Sequence, residues 1–299
     1  MPVLVLVVGY RGEGSGKTVI TASLVASLKA EGVRVAPFKP YAATLIWENP
    51  SILGEVMRRR LVVSGDGLRL SSVSGVHPEI VNPVAILVGE ADASRNSWRP
   101  PPLPARSPLD FGVLGRVSMC RGERVDTLHF VNVEALASTP KTMQEAVIDA
   151  ASGLRPFPLR VGREFLESVL TGGQENAVMT CLNRIASESD IIIIESNSEV
   201  PLPISVKPDL VLVAAPGVAG VIPGDRYVKS LQALGMASGR PAVTVSVADV
   251  LRLSGVTETI PLPILESPED LLPRGTIERI ATRILGLLEE NTSGGAPQE

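Results

Sequence analysis

Aromatic side chains make up only 3% of this 299-residue chain, and single-stranded nucleic acid is held largely by stacking on such rings. A stacking platform for bases is therefore not expected. Two cysteines, Cys120 and Cys181, make neither a disulfide framework nor a thiolate metal site. The two histidines, His77 and His129, are isolated, and each reads as a partly buried or surface ring. Positive charge is not in excess: 28 Lys and Arg stand against 32 Asp and Glu, a net charge of −4, which argues against bulk nucleic-acid affinity. No apolar run approaches the roughly 18 residues that a membrane span needs. The opening apolar run flows at once into a glycine-rich turn, unlike a secretory or transit segment. A soluble cytoplasmic protein, meeting neither membrane nor nucleic acid, is the expectation.

What the chain does have is a core, at 44% hydrophobic residues, and one stretch that organises the rest. Residues 3 to 20 read VLVLVVGYRGEGSGKTVI. The unbroken apolar run Val3 to Val8 fits a strand covered on both faces, as in a parallel sheet. A turn with four glycines follows, and Lys17 and Thr18 open a segment with helical spacing. Glycines let the backbone approach a ligand closely, and a helix N-terminus offers uncompensated N–H groups, so the unit suits a polyphosphate. It is a P-loop variant: the position five before Gly16 is Arg11, and the available glycines are Gly9, Gly12 and Gly14. The candidate nucleotide contacts are Gly12, Glu13, Gly14, Ser15, Gly16, Lys17 and Thr18. Lys17 would reach the β- and γ-phosphates, and the Thr18 hydroxyl would sit on Mg²⁺.

Along the chain, helical spacing with Gly32 as C-cap predicts a helix over about 16–31. Val33 to Phe38 reads as a second strand ending at Lys39-Pro40, and ligands gather beyond the carboxyl ends of such strands. Asn49-Pro50 opens a helix through Arg60, whose triple arginine reads as a solvated face. A further helix follows Ser64-Gly65-Asp66 and fades near Gly75. Five prolines between 96 and 108 mark a long loop, and 111–119 with 124–133 read as a hairpin. Helices are predicted at 142–151, 161–170 and 175–189. The buried strand Asp190 to Glu195 comes next, then a strand over 210–214, a helix over 226–234, a strand over 242–247 and a last helix over 276–290. The fold expected is α/β, a doubly wound and mainly parallel sheet of the P-loop NTPase type. It would form one domain over 1–290, with an insertion at about 96–134 and a disordered tail from 291. No internal repeat is evident.

Magnesium takes oxygen ligands and needs only one or two carboxylates besides phosphates. Glu195, ending a buried strand, is placed for that task. Asp66 stands in Ser-Gly-Asp-Gly, which is also an ordinary turn sequence.

These segments together resemble dethiobiotin synthetase and the related P-loop group that includes cobyrinic acid diamide synthetase. GYRGEGSGKT is similar to the family's long P-loop, VRVAPFKPYAAT to its strand ending in Lys-Pro, and SGDGLRLSS to its Asp-bearing helix. HPEIVNPVAI matches in position, and DIIIIESN resembles its Asp-to-Glu strand. ETIPLPILESPEDL resembles the Ile-Pro loop that lines adenine. The order is kept across most of the chain, apart from roughly 96 to 160. The resemblance implies ATP and Mg²⁺ as ligands, with Thr18, Asp66 and Glu195 on the metal. It implies Lys17 and Lys39 as the catalytic cations, Lys39 facing acceptor and γ-phosphate, Pro261 beside the base, and a homodimer. The departures lie on the acceptor side. Ser196-Asn197-Ser198-Glu199 replaces a Gly-rich loop, Ala43 replaces a serine, and Glu13 replaces a carbamate-holding threonine. Ser246 and Asp249 are the candidates for the base-reading position.

The function expected is an Mg-ATP enzyme, a ligase or phosphotransferase that activates a carboxylate- or carbamate-type small-molecule acceptor. The alternative is a regulatory ATPase switch that binds a protein partner. A glutamine-dependent ligase is disfavoured, because the chain lacks the length for a glutaminase domain.

Overall fold

The computed structural model describes residues 1–12, 14–95, 97–98, 108–197, 200–238, 245–267 and 270–293. In chain order the elements begin with β1 (Val3–Gly9), α1 (Lys17–Ala30), β2 (Val35–Phe38), β3 (Tyr41–Leu45), α2 (Ser51–Arg59) and α3 (Gly65–Ser74). Next come α4 (Pro78–Val81), β4 (Val84–Val88), α5 (Pro108–Phe111), β5 (Gly112–Arg121), β6 (Arg124–Asn132) and α6 (Val133–Ser138). Then follow α7 (Lys141–Ser152), β7 (Leu159–Val161), α8 (Arg163–Leu170), α9 (Glu175–Glu188) and β8 (Ile191–Glu195). The chain closes with β9 (Leu210–Ala215), β10 (Val218–Pro223), α10 (Gly224–Ser238), α11 (Val247–Ser254), β11 (Glu258–Pro261) and α12 (Arg274–Ser293). The protein is thus α/β, with two mixed sheets that both contain parallel strands. No helix among the described residues is long and apolar enough to cross a membrane.

Two compact units share the chain. The first comprises Met1–Pro40, Arg69–Val76 and Ile185–Glu299, and the second comprises Tyr41–Leu68 and His77–Arg184. The sequence reading has instead one domain over 1–290, with an insertion at about 96–134. The hairpin of that segment is built into the sheet of the second unit.

The sheet of the first unit has the order β11-β10-β9-β1-β8-β2. β1 lies parallel to both β8 and β9, and β2 lies parallel to β8. β10 and β11 continue the sheet antiparallel. Strands buried on both faces need apolar residues at every position rather than at alternate ones, which is what VLVLVVG and IIII supply. Val3, Val5, Val7, Ile191, Ile193, Leu210 and Leu212 pack in one cluster with Ile20, Leu24 and Leu28 of α1 and Ile277, Ile280 and Ile284 of α12. The alternate residues Leu6, Val8, Ile192, Ile194 and Val211 are buried as well.

The second unit's sheet has the order β3-β4-β5-β6-β7. Its ends are parallel pairs, β3 with β4 and β6 with β7, while β4, β5 and β6 run antiparallel. Ile52, Leu53 and Val56 of α2 and Met143 and Val147 of α7 cover Ala85, Leu87, Val113 and Leu114. Cys120, near the end of β5, and Cys181 of α9 form a disulfide across 61 residues. The sequence reading, which expected no framework of several bridges and left the pairing of these two cysteines open, is completed by one bridge within this unit. A bridge closing a loop of that length restricts the unfolded chain and stabilises by about 4 kcal/mol in the loop-entropy account.

Other differences are local. The strand expected over 242–247 falls partly on residues outside the description, and Val247 instead opens α11. Ser246 caps that helix through a reciprocal capping box with Asp249. The last helix continues through Ser293 where a disordered tail was expected from 291; residues 294–299 lie outside the described set, as does most of the proline-rich loop. β3, β4, β7, β10, β11, α4, α5 and α6 were not anticipated.

The second unit also holds a buried polar pair of strand neighbours. Arg116 of β5 lies opposite His129 of β6, both with no exposed surface. Burial pushes the Arg116 guanidinium down to about 10, with Glu79 working against the shift. His129 is held below its ordinary value by burial and by Arg116, against the Pro156 carbonyl and Glu79. Its Nδ1 lies 3.0 Å from that carbonyl, and its Nε2 accepts from Val62 N at 3.4 Å, the pattern of a neutral ring protonated at Nδ1. Burial alone would raise Glu79, but hydrogen bonds from His77 and Thr127 and the charge of Arg116 bring it below the usual value.

The sign for both groups follows. Above about pH 6.5, His129 is neutral in both folded and unfolded chains and contributes nothing. Below it, the unfolded chain takes up a proton that the fold resists, so stability falls until the lower folded value is passed. Glu79 contributes above the carboxylate range, and its share is lost as pH falls through its depressed value. Urea unfolding midpoints should therefore fall from pH 7 to 5, and His129→Gln should flatten that slope. A wild-type midpoint unchanged over this interval excludes the neutral buried histidine.

Candidate functional site

The site is assembled at the carboxyl edge of the first unit's parallel strands. β1 ends at Gly9, and a turn leads to Gly16, which caps α1 in the left-handed region at φ 88°. A side chain there would be strained. Gly9 is required for a different reason. A Cβ on it would lie 2.7 Å from each of Lys17 Nζ, Ser15 Oγ and the Arg11 carbonyl oxygen. The turn thus folds over the Lys17 ammonium, which donates to the Gly12 carbonyl at 2.9 Å and to Ser15 Oγ at 3.0 Å. Lys17 is 8% exposed and Ser15 is 2% exposed.

Register brings the second half of the site to the first. Parallel pairing sets Val7 of β1 beside Glu195 of β8 and Phe38 of β2 beside Ile194. One residue further along β2, Lys39 therefore arrives next to Glu195. Its Nζ donates to Glu195 Oε1 at 2.6 Å and to the Ser196 carbonyl at 3.2 Å. The Thr18 hydroxyl donates to the same Glu195 Oε1 at 2.8 Å. Lys39 is 1% exposed and Glu195 0%, so the ion pair stands in a medium where charge is weakly screened. Ser196 N donates to the Val7 carbonyl at 2.9 Å, which fixes the chain just past the carboxylate.

A cleft of about 120 Å³ opens beside the turn. It is lined by Gly14, Ser15 and Gly16 of the turn and by apolar residues that include Val19, Pro216, Leu262, Pro263 and Leu265. Leu262 N donates to the Gly217 carbonyl at 2.9 Å, tying the segment after β11 to the β9–β10 turn.

Of the sequence candidates, Gly12, Gly14, Ser15, Gly16, Lys17, Thr18, Lys39 and Glu195 all belong to this unit, and Lys17, Thr18, Lys39 and Glu195 make the contacts just given. Glu13 lies outside the described residues. Pro261 ends β11, exposed, and does not line the cleft; the next residues do. Asp66 stands in the first turn of α3 and belongs to the second unit, whereas Glu195 belongs to the first. Ser246 and Asp249 bond to each other as the cap of α11. Leu262, Pro263 and Leu265 of the cleft wall lie in ETIPLPILESPEDL, the segment quoted above for its resemblance to an adenine-lining loop, whereas Val19 and Pro216 were not singled out as site residues and Ser196 was noted only as a departure.

Magnesium prefers hard oxygen donors, and the Thr18 hydroxyl with the Glu195 carboxylate is such a set. No cluster of three or more His, Cys, Asp and Glu placed to hold a metal occurs among the described residues. A metal here would draw on these side chains together with water and the ligand's own phosphates. Comparison with protein-family models and with curated proteins finds no match to this chain.

Proposed function

We propose that the first unit binds Mg-ATP in the P-loop manner, and that the protein uses it as a ligase or phosphotransferase to activate a carboxylate- or carbamate-type acceptor. The fold in this reading is the doubly wound P-loop NTPase type, and the resemblance to dethiobiotin synthetase carries a homodimer with it. The observation that carries the reading is the meeting of Thr18, first turn of the helix after the glycine turn, with Glu195, the last residue of the adjacent strand.

Each residue then has a task. Backbone N–H groups of Gly14 to Lys17 cradle phosphate oxygens, with the helix N-terminus adding partial positive charge. Lys17 turns from the Gly12 carbonyl to the phosphates. Thr18 and Glu195 hold Mg²⁺, which when bound neutralises charge on the phosphate oxygens. Lys39 stands on the acceptor side and stabilises charge on the group in transit. The apolar cleft beside Val19, Pro216 and Pro263 receives the base.

Titration calorimetry tests this. Lys17→Ala should weaken Mg-ATP binding by about 30-fold or more, since losing one partner of a buried charged contact costs about 2 kcal/mol or more. Equal affinity in the variant and the wild type removes the assignment.

A further inference from the structure

Glu195 Oε1 receives two donors, Thr18 Oγ1 at 2.8 Å and Lys39 Nζ at 2.6 Å. Magnesium binds its oxygens at about 2.0–2.1 Å and requires near-octahedral space. An ammonium pressed against the same oxygen occupies that space and repels a second cation. From this crowding we infer that Lys39 is an exchangeable counter-ion: it neutralises Glu195 in the metal-free protein and must leave that oxygen when a divalent cation takes it. The inference rests on the Mg-nucleotide reading above and adds to it an obligatory exchange of one cation for another.

Two observations favour the exchange over a fixed ion pair. Both partners are buried, so an ionised carboxylate without a cation would be costly, and a metal arriving as the ammonium leaves keeps it neutralised. Beside them, the Ser196 hydroxyl is fully buried and makes no hydrogen bond among the described residues, while the Ser196 carbonyl already accepts from Lys39. A displaced ammonium can keep the carbonyl and gain the hydroxyl, moving a short way along one residue. Lys39 is then a positioning cation whose charge becomes available for phosphate or acceptor only after the metal has arrived. Nucleotide loading and the readiness of Lys39 are thereby coupled.

The test measures metal rather than turnover. Mn²⁺ binding is followed by electron paramagnetic resonance in wild type and Lys39→Met, with and without ADP. With the competing ammonium removed, the variant should bind Mn²⁺ about tenfold or more tightly, the scale on which one neighbouring charge shifts a carboxylate. Its melting temperature should be lowered without metal and restored by Mn²⁺, whereas Mn²⁺ alone moves the wild type little. Adding Glu195→Gln should abolish the gain. If Lys39→Met folds only when Mn²⁺ is present, that dependence itself supports the exchange; failure to fold even with Mn²⁺ counts against it. Unchanged or weaker Mn²⁺ binding in the variant, with and without ADP, overturns the inference, because the metal then uses another oxygen and leaves Lys39 in place. Should Mn-ADP fail to bind the wild type at all, the nucleotide reading falls with it. Binding to the wild type without tightening in the variant removes only the exchange.

Discussion

Lys39→Met in the metal-free protein should lower the free energy of unfolding by about 3–5 kcal/mol, the cost of removing one partner from a buried ion pair. Methionine keeps most of the chain length, so little cavity cost is added. What changes is that Glu195, with no exposed surface, loses the cation 2.6 Å away. The Thr18 hydroxyl still donates to Oε1, but a neutral donor does not balance a full charge. The double variant Lys39→Met with Glu195→Gln should recover most of the loss, since the charge that had to be neutralised is gone. Urea unfolding of the four proteins in the double-mutant cycle measures the coupling. A single-variant cost below about 1 kcal/mol, the level of an exposed pair, would show that the carboxylate is solvated and the pair dispensable.

The legible parts of this site were those written in contiguous sequence. VLVLVVG and IIII are apolar at every position, which only a strand buried on both faces requires. The glycine turn with Lys17 and Thr18 announces the start of α1. Strand ends marked Lys39 and Glu195 as neighbours of that turn, but not as partners of each other. Their contact depends on the register of three parallel strands, in which Val7 pairs with Glu195 and Phe38 with Ile194. No local pattern encodes a register that uniform apolar runs would satisfy in several ways.

Where the reading missed, tertiary context outweighed local signal. β10 contains Gly220 and Pro223 within six residues, a composition that favours a turn, yet antiparallel pairing with β9 and β11 makes it a strand. β3 follows Lys39-Pro40 after a single residue beyond the lysine and shows no alternation. It begins the second unit, pairing with β4 rather than extending the first sheet. The bridge between Cys120 and Cys181 spans 61 residues, and two cysteines so separated carry no spacing signal.

The second large effect separates an enzyme from a regulatory switch. At saturating Mg-ATP, Lys39→Met should lower phosphate release by about 10²–10³-fold, the loss that follows removal of one preorganised donor from a transition state. ATP affinity should change far less, because in the proposed reading Lys17 and the glycine turn remain to hold the phosphates. Saturation matters physically: in the proposed reading the metal then neutralises Glu195, so the stability defect of the metal-free variant is offset and turnover can be compared between folded proteins. Single-turnover phosphate release and equilibrium ATP binding, measured on the same preparations, give the two numbers separately. Loss of binding with turnover per bound ATP unchanged would make Lys39 a nucleotide contact. If neither quantity moves, Lys39 serves only to neutralise Glu195, the acceptor side loses the buried cation this reading gives it, and slow regulatory turnover becomes the better account of the site.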